Sequence, residues 1–250
     1  MPIYIYKENS QISTNAIRNN KAVKAIYAKE QEQEAVCVWG VNLNIVPFTY
    51  TKSETSITIT GLKGGVKMEH LRVPETIEEL PVEGITYGAF EKITIFKSIK
   101  LPNTLTFIGA YAFYMCTGLT SLTIGNSATS IGDSAFRKCT SLTSATIGNG
   151  VTDIDDLAFF GCIGLTNIVI PDNVRNIYRS AFYDCTGLMS ITIPNSVTRI
   201  GDYTFKNCTS LTNITFNGTQ AQWNAITKGT DWNYNTGNYT IHCTDGDIPK

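Results

Sequence analysis

The sequence predicts an α/β solenoid, a stack of 23-residue coils in which short strands align coil on coil. Three observations carry this reading. Phenylalanine recurs at Phe90, Phe113, Phe136, Phe159, Phe182 and Phe205 without a slip, and alanine precedes each one except at Thr204. The same step of 23 generates Cys116, Cys139, Cys162, Cys185 and Cys208, and then Leu119, Leu142, Leu165, Leu188 and Leu211. Five of these six copies also end their apolar alternation in Pro or Gly followed by Asn or Asp, and the last in Asn217-Gly218, a turn signal at constant phase. A period of this length builds a solenoid, because one copy cannot bury its apolar face alone while a stack of copies can.

Within a copy, Ala128, Ile131, Ala135, Phe136, Cys139, Leu142, Ala145 and Ile147 form the set expected to face inward. Leu165-Thr166-Asn167-Ile168-Val169-Ile170 alternates as a strand before Pro171, and stacking such strands gives a parallel sheet. Val174-x-x-Ile177 is a second extended piece, and the stretch from Tyr178 to Cys185 is expected to make one or two short helical turns.

The ends differ from the array. Residues 1–50 lack the repeat and are read as a small β module, with strands at 3–6, 22–28 and 35–39; an amphipathic helix over about 15–35 is the competing pattern. The array occupies 51–218 with an irregular first coil containing Thr55–Thr60. Residues 219–250 are expected to cap it. Thr219 and Gln222 have capping-box spacing for a helix reaching about Thr227, Trp223 and Trp232 cover the last coil, and Tyr239–Cys243 forms a closing strand.

Composition excludes several classes. The chain has 250 residues, with 20 basic and 21 acidic side chains and a net charge of −1, so it lacks the positive footprint that nucleic acid or an anionic membrane requires. No apolar run is long enough to span a bilayer. The first residues do not have the pattern of a secretory signal. Stacked coils set successive ladder cysteines roughly 4.8 Å apart, which permits a disulfide on distance alone. An odd ladder of five side chains pointing the same way reads instead as buried free thiols.

No nucleophile with a base and orienter, paired catalytic acids or phosphate loop stands out, so no catalytic residue, cofactor or metal is assigned. Asp153, Asp155 and Asp156 share one coil, but no neighbouring coil repeats them, as calcium-binding repeats would. Asp245 and Asp247 near His242 are read in the same way, as solvated turn residues. The Asn-x-Thr triplet Asn213-Ile214-Thr215 follows from the strand pattern.

Leu119-x-x-Leu122-x-Ile124 is a leucine-rich repeat signature, and Ile131-Gly132-x-x-Ala135-Phe136-x-x-Cys139-x-x-Leu142 resembles the BspA-type, treponemal subclass of bacterial leucine-rich repeats. The resemblance covers about residues 55–218. Three residues after the strand's last aliphatic, better-known subclasses place Asn or Cys; Ser127, Gly150, Asn173 and Ser196 stand there instead, which argues against a regular asparagine ladder. The resemblance implies a non-enzymatic protein at the cell surface or outside the cell that binds a protein or glycan.

Two faces are candidates. The outward strand face carries Thr120, Thr123, Thr143, Thr146, Thr166, Asn167, Ser190, Thr192, Thr212 and Thr215, neutral and rich in hydroxyls. The opposite, turn side carries Tyr111, Tyr114, Arg137, Phe160, Tyr178, Tyr183, Tyr203 and Lys206, an aromatic and basic composition common at interfaces. A structural or assembly role, with docking through residues 1–50, is the second functional reading.

Overall fold

The computed structural model describes residues 46–64 and 68–250; the expected strands at 3–6, 22–28 and 35–39 and the alternative helix lie outside them. The array is a β-solenoid of about eight coils of roughly 23 residues. Two columns of parallel strands run along it. The shorter strands, among them Ser130–Ile131, Asp153–Ile154, Asn176–Ile177 and Arg199–Ile200, pair in register into a ten-stranded sheet. This sheet begins with the hairpin of Phe48–Lys52 and Ile57–Leu62. The longer-strand side is divided. His70–Arg72, Ser98–Lys100, Ser121–Thr123 and Ser144–Thr146 form one parallel sheet, while Asn167–Val169, Ser190–Pro194, Asn213–Asn217 and Thr240–Cys243 begin another.

The period arises from one continuous core. Phe90, Phe113, Phe136, Phe159, Phe182 and Phe205 are fully buried and stack face to face, with successive centroids 5.0 to 5.6 Å apart. Offset stacking of this kind adds to the apolar area each ring buries. At the ends the geometry turns edge-on: Phe48 meets Phe90 at 78°, and Trp232 meets Phe205 at 78°. The Trp232 ring, which also packs on Trp223 and Tyr239, meets the last phenylalanine edge-on and does not continue the stack.

The ladder cysteines are all free and buried. Each thiol donates to the carbonyl of the Phe one coil earlier: Cys116 to Phe90, Cys139 to Phe113, Cys162 to Phe136, Cys185 to Phe159 and Cys208 to Phe182, at 3.1 to 3.3 Å. Burial pushes the thiols of Cys116 and Cys185 up to about 12; those of Cys139, Cys162 and Cys208 also lie well above their ordinary value for the same reason.

The short helical turns expected between the two strand columns do not form, and the fold is therefore a β-solenoid rather than an α/β one. Among the described residues the helix is Gln220–Ala225 alone. In each turn the backbone donors alternate. Tyr111, Phe113 and Met115 donate forward to the carbonyls of Asp133, Ala135 and Arg137 in the next coil, while Ala112, Tyr114 and Cys116 donate back within their own turn to Gly109, Tyr111 and Phe113. A helix needs every donor for itself, so a turn that shares half of them with its neighbour is not helical. The geometry brings two left-handed residues per coil, four apart. Tyr111, Ser134, Leu157, Ser180 and Tyr203 form one column, and Met115, Lys138, Gly161, Asp184 and Asn207 the other, with φ between 55 and 68°.

No regular asparagine ladder runs the length of the array, but two rungs form one residue before Ser127 and Gly150. Asn103 Oδ1 accepts from the backbone N–H of Asn126 at 3.0 Å, and Asn126 Oδ1 from that of Asn149 at 3.1 Å. A threonine column works in the same manner: the hydroxyls of Thr106, Thr129 and Thr152 donate to Glu83, Thr106 and Thr129 carbonyls of the preceding coil.

At the C-terminal end the capping box closes on Gln220–Ala225. The Thr219 side chain accepts from Gln222 N–H, and the Gln222 side chain accepts from Thr219 N–H. Lys228 Nζ donates to the Trp223 and Ile226 carbonyls at the other end of the helix and lies over the Trp223 ring. Trp223 packs edge-on against Phe216 and Trp232.

Candidate binding faces

On the strand side, Thr120, Thr143, Thr146, Thr166, Asn167 and Thr212 are exposed, while Thr123, Ser190, Thr192 and Thr215 are half-buried. Alternation places Leu122, Ile168, Ile191 and Ile214 inward and leaves these residues outward. Several of the hydroxyls are already engaged. Thr120 Oγ1 donates to the Lys97 carbonyl at 2.8 Å, Thr143 Oγ1 to Thr120 at 3.0 Å and Thr212 Oγ1 to Met189 at 3.3 Å. These threonines therefore stitch coil to coil as well as facing solvent.

The same face carries apolar side chains that break the threonine columns. Val169 is 64% exposed and Met189 56%, and Ile163, 48% exposed, stands just before the strand. Their equivalents one coil away include Thr146, Thr192, Thr166 and Thr186.

These residues lie beside the division between the two longer-strand sheets. In the neighbouring coils, Thr143 N–H donates to Thr120 O, Met189 N–H to Thr166 O, Ile124 N–H to Thr146 O and Ile170 N–H to Thr192 O. The corresponding bonds from Thr166 N–H to Thr143 and from Ile147 N–H to Val169 are absent. Ala145 occupies the position of Leu122 and Ile168 and is only half-buried, contrary to its expected core placement; Ile147 is 7% exposed, the most of any core residue. The small side chain supplies too little apolar contact to draw this coil fully onto the next. The seam affects one side alone, for Asp153–Ile154 and Asn176–Ile177 remain paired behind it.

On the turn side, Tyr111, Tyr114, Arg137, Phe160, Tyr178, Tyr183, Tyr203 and Lys206 are all half-buried. Most join one interleaved stack. The Arg137 guanidinium lies 5.7 Å from the Tyr114 centroid and 4.9 Å from that of Phe160, Phe160 stacks on Tyr183 at 5.0 Å, and Lys206 Nζ sits 4.8 Å from the Tyr203 centroid and 4.9 Å from that of Tyr234. Tyr111 meets Tyr87 and Tyr114. Tyr178 joins no ring contact among the described residues; its carbonyl accepts from Thr204 Oγ1. The inner rings of this side are covered by cations and by each other, while Tyr87 and Tyr234, at its two ends, are largely exposed.

The acidic coil is satisfied from within. Asp153 accepts from Asn176 Nδ2 and Thr152 Oγ1, both at 2.7 Å, and Asp156 accepts from Arg179 N–H at 2.9 Å. Burial, with Asp153, Asp156 and Asp133 nearby, raises the Asp155 carboxyl above its ordinary range. His242 and Asp247 pair at 2.9 Å. Among the described residues, no group of three or more His, Cys, Asp or Glu side chains is placed to hold a metal ion. None of the described helices is long and apolar enough to cross a membrane.

A stack of short parallel strands, with a phenylalanine spine, polar inter-coil ladders and an open strand face, defines a leucine-rich repeat solenoid. The BspA-type leucine-rich repeat region model matches in six copies, over residues 55–188 and 129–230, and the chain belongs to this family. A leucine-rich repeat protein of T. pallidum is similar at 28% identity, over 68% of this chain and 83% of that one, with a TM-score of 0.63. A leucine-rich repeat protein of Eubacterium ventriosum shares the fold at 23% identity, over 75% of this chain and 50% of that one, with a TM-score of 0.58. No curated protein matches the sequence. The family is typically one of binding or adhesion proteins.

Proposed function

We propose that the chain is a non-catalytic binding or adhesion protein that presents its strand face to a protein or glycan at a cell surface. In this reading residues 51–218 form the presenting array, 219–250 close it, and residues 1–50 attach it to a larger assembly. The observation that favours the strand face over the turn side is the state of the side chains. Val169, Met189 and Ile163 are exposed apolar groups on an otherwise neutral, hydroxyl-rich surface, whereas the rings of the turn side stack on one another and on Arg137 and Lys206. Exposed apolar groups gathered on one face are the usual nucleus of an interface.

The test is a binding screen of the full chain against a glycan array and a panel of purified matrix and cell-surface proteins, repeated with Val169→Asp/Met189→Asp and with Tyr183→Ala. Loss of binding in the first variant and retention in the second is the expected result. The reverse pattern moves the site to the turn side, and no binding at micromolar concentration counts against a binding role.

A further inference from the structure

We infer that the partner is a polypeptide whose contacting segment carries carboxylates a few residues from aliphatic side chains. This rests on the strand face being the binding surface and names what that surface selects. One outward row crosses the face, because Arg72 is in register with Lys100, Lys100 with Thr123, and Thr123 with Thr146. Val169 continues the row one repeat further on. The row thus has a cationic end and an apolar centre.

The cationic end is poorly neutralised. Arg72 and Lys100 are exposed side by side on adjacent strands, Lys97 lies beside them, and none of the three is in an ion pair among the described residues. Glu69 is the exposed carboxylate on the same patch, next to His70. Like charges placed directly opposite each other across two strands destabilise a sheet, and an incoming carboxylate reverses the sign of that interaction.

The apolar centre selects polypeptide over glycan or nucleic acid. Val169 and Met189 are aliphatic, and around them the candidate strand face has no exposed Phe, Tyr or Trp on which a sugar or a base can stack; its rings are the imidazoles of His70 and His242 at the two ends. Beside Val169, the N–H of the exposed Thr166 lacks the inter-coil acceptor that its counterparts have. A peptide backbone supplies carbonyls for such donors as well as aliphatic side chains for the surface around them. Lys100 and Val169 stand three strand steps apart, about 14 Å at roughly 4.8 Å per strand, a span of about four extended residues.

Selection of a displayed library of random 16-residue peptides on the full chain tests this, with the recovered peptides then measured against variants. Recovered sequences are expected to place Asp or Glu about four residues from Val, Leu or Ile. Their affinity is expected to fall about tenfold or more with Arg72→Gln/Lys100→Thr and with Val169→Asp, and to weaken as salt rises. All three positions are exposed, and circular dichroism verifies that the variants fold. Peptides that show no acidic bias and ignore Arg72→Gln/Lys100→Thr, yet are lost with Val169→Asp, overturn this inference and leave the strand-face reading standing. Peptides that ignore all these changes and are lost with Tyr183→Ala overturn both. Binding of alginate, a polyuronate, without recovery of any peptide overturns the polypeptide partner while retaining the face. Failure to recover a peptide or to bind alginate overturns the inference as well.

Discussion

At the scale of the residue, the ladder cysteines act as donors as well as fillers. Each gives a second hydrogen bond to the Phe carbonyl of the previous coil, which already accepts from a backbone N–H of its own turn, and a thiol is small and apolar enough to be buried there. Their raised pKa values keep them protonated. Iodoacetamide at pH 8 is therefore expected to leave all five unmodified in the native protein and to label them after denaturation, as peptide mass mapping will show. Asp155 is the opposite case, a side chain that is costly where it stands. Its folded pKa is raised, so its contribution to stability is present below the ordinary carboxylate range and is lost as pH rises through the raised value. Asp155→Asn is expected to stabilise the protein at pH 7 by roughly half a kcal/mol, reduced by the group's partial exposure, and to make no difference at pH 3. Thermal unfolding at the two pH values measures this. The inward set was legible in the sequence because burial at a fixed phase preserves residue type. Val169, Met189 and Ile163 are visible in the sequence as breaks in threonine columns, but only the structure shows that they are exposed.

At the scale of the element, the turn is where sequence reasoning failed. Nothing in Tyr111, Leu157 or Lys138 signals a left-handed backbone, since these residue types do not prefer it. The conformation is imposed by the adjacent coil, which takes every second donor, and a pattern read along one copy contains no trace of its neighbour. The chain uses glycine at one member of the column, Gly161, which sets up a direct comparison. Lys138→Gly is expected to stabilise the fold by about 0.5–1 kcal/mol, and Gly161→Ala to destabilise it by about 1 kcal/mol, as read from denaturant midpoints. The seam between Ser144–Thr146 and Asn167–Val169 was hidden for a different reason. Alanine is a good core residue by type, and only its volume relative to Leu122 and Ile168 shows what is missing.

At the scale of the whole molecule, stability accumulates coil by coil because each coil contacts its neighbours through the same ladders. Deleting residues 128–150, one full period, brings Leu122 next to Ile168 and keeps every ladder in phase. That variant is expected to fold with a single cooperative transition and to lose about 1–3 kcal/mol, in proportion to its shortened length. Deleting residues 128–139 alone puts the ladders out of phase and is expected to give a protein without a cooperative transition. Circular dichroism with chemical denaturation distinguishes the two.

The forward reach of the turn donors also imposes an order on synthesis. Ser180, Phe182 and Asp184 wait for carbonyls 22 residues further along, at Asp202, Thr204 and Lys206. Tyr203, Phe205 and Asn207 wait longer, for Thr230, Trp232 and Tyr234. As the chain leaves the ribosome, its newest coil is therefore always incomplete on one side, ready to accept the next piece of its own chain and equally ready to accept a neighbouring copy. The final stretch ends that exposure, since it supplies the last acceptors and continues into a strand that folds back antiparallel, Gly246–Pro249 on Thr240–Cys243. Truncation near residue 229 would leave a permanently adhesive end.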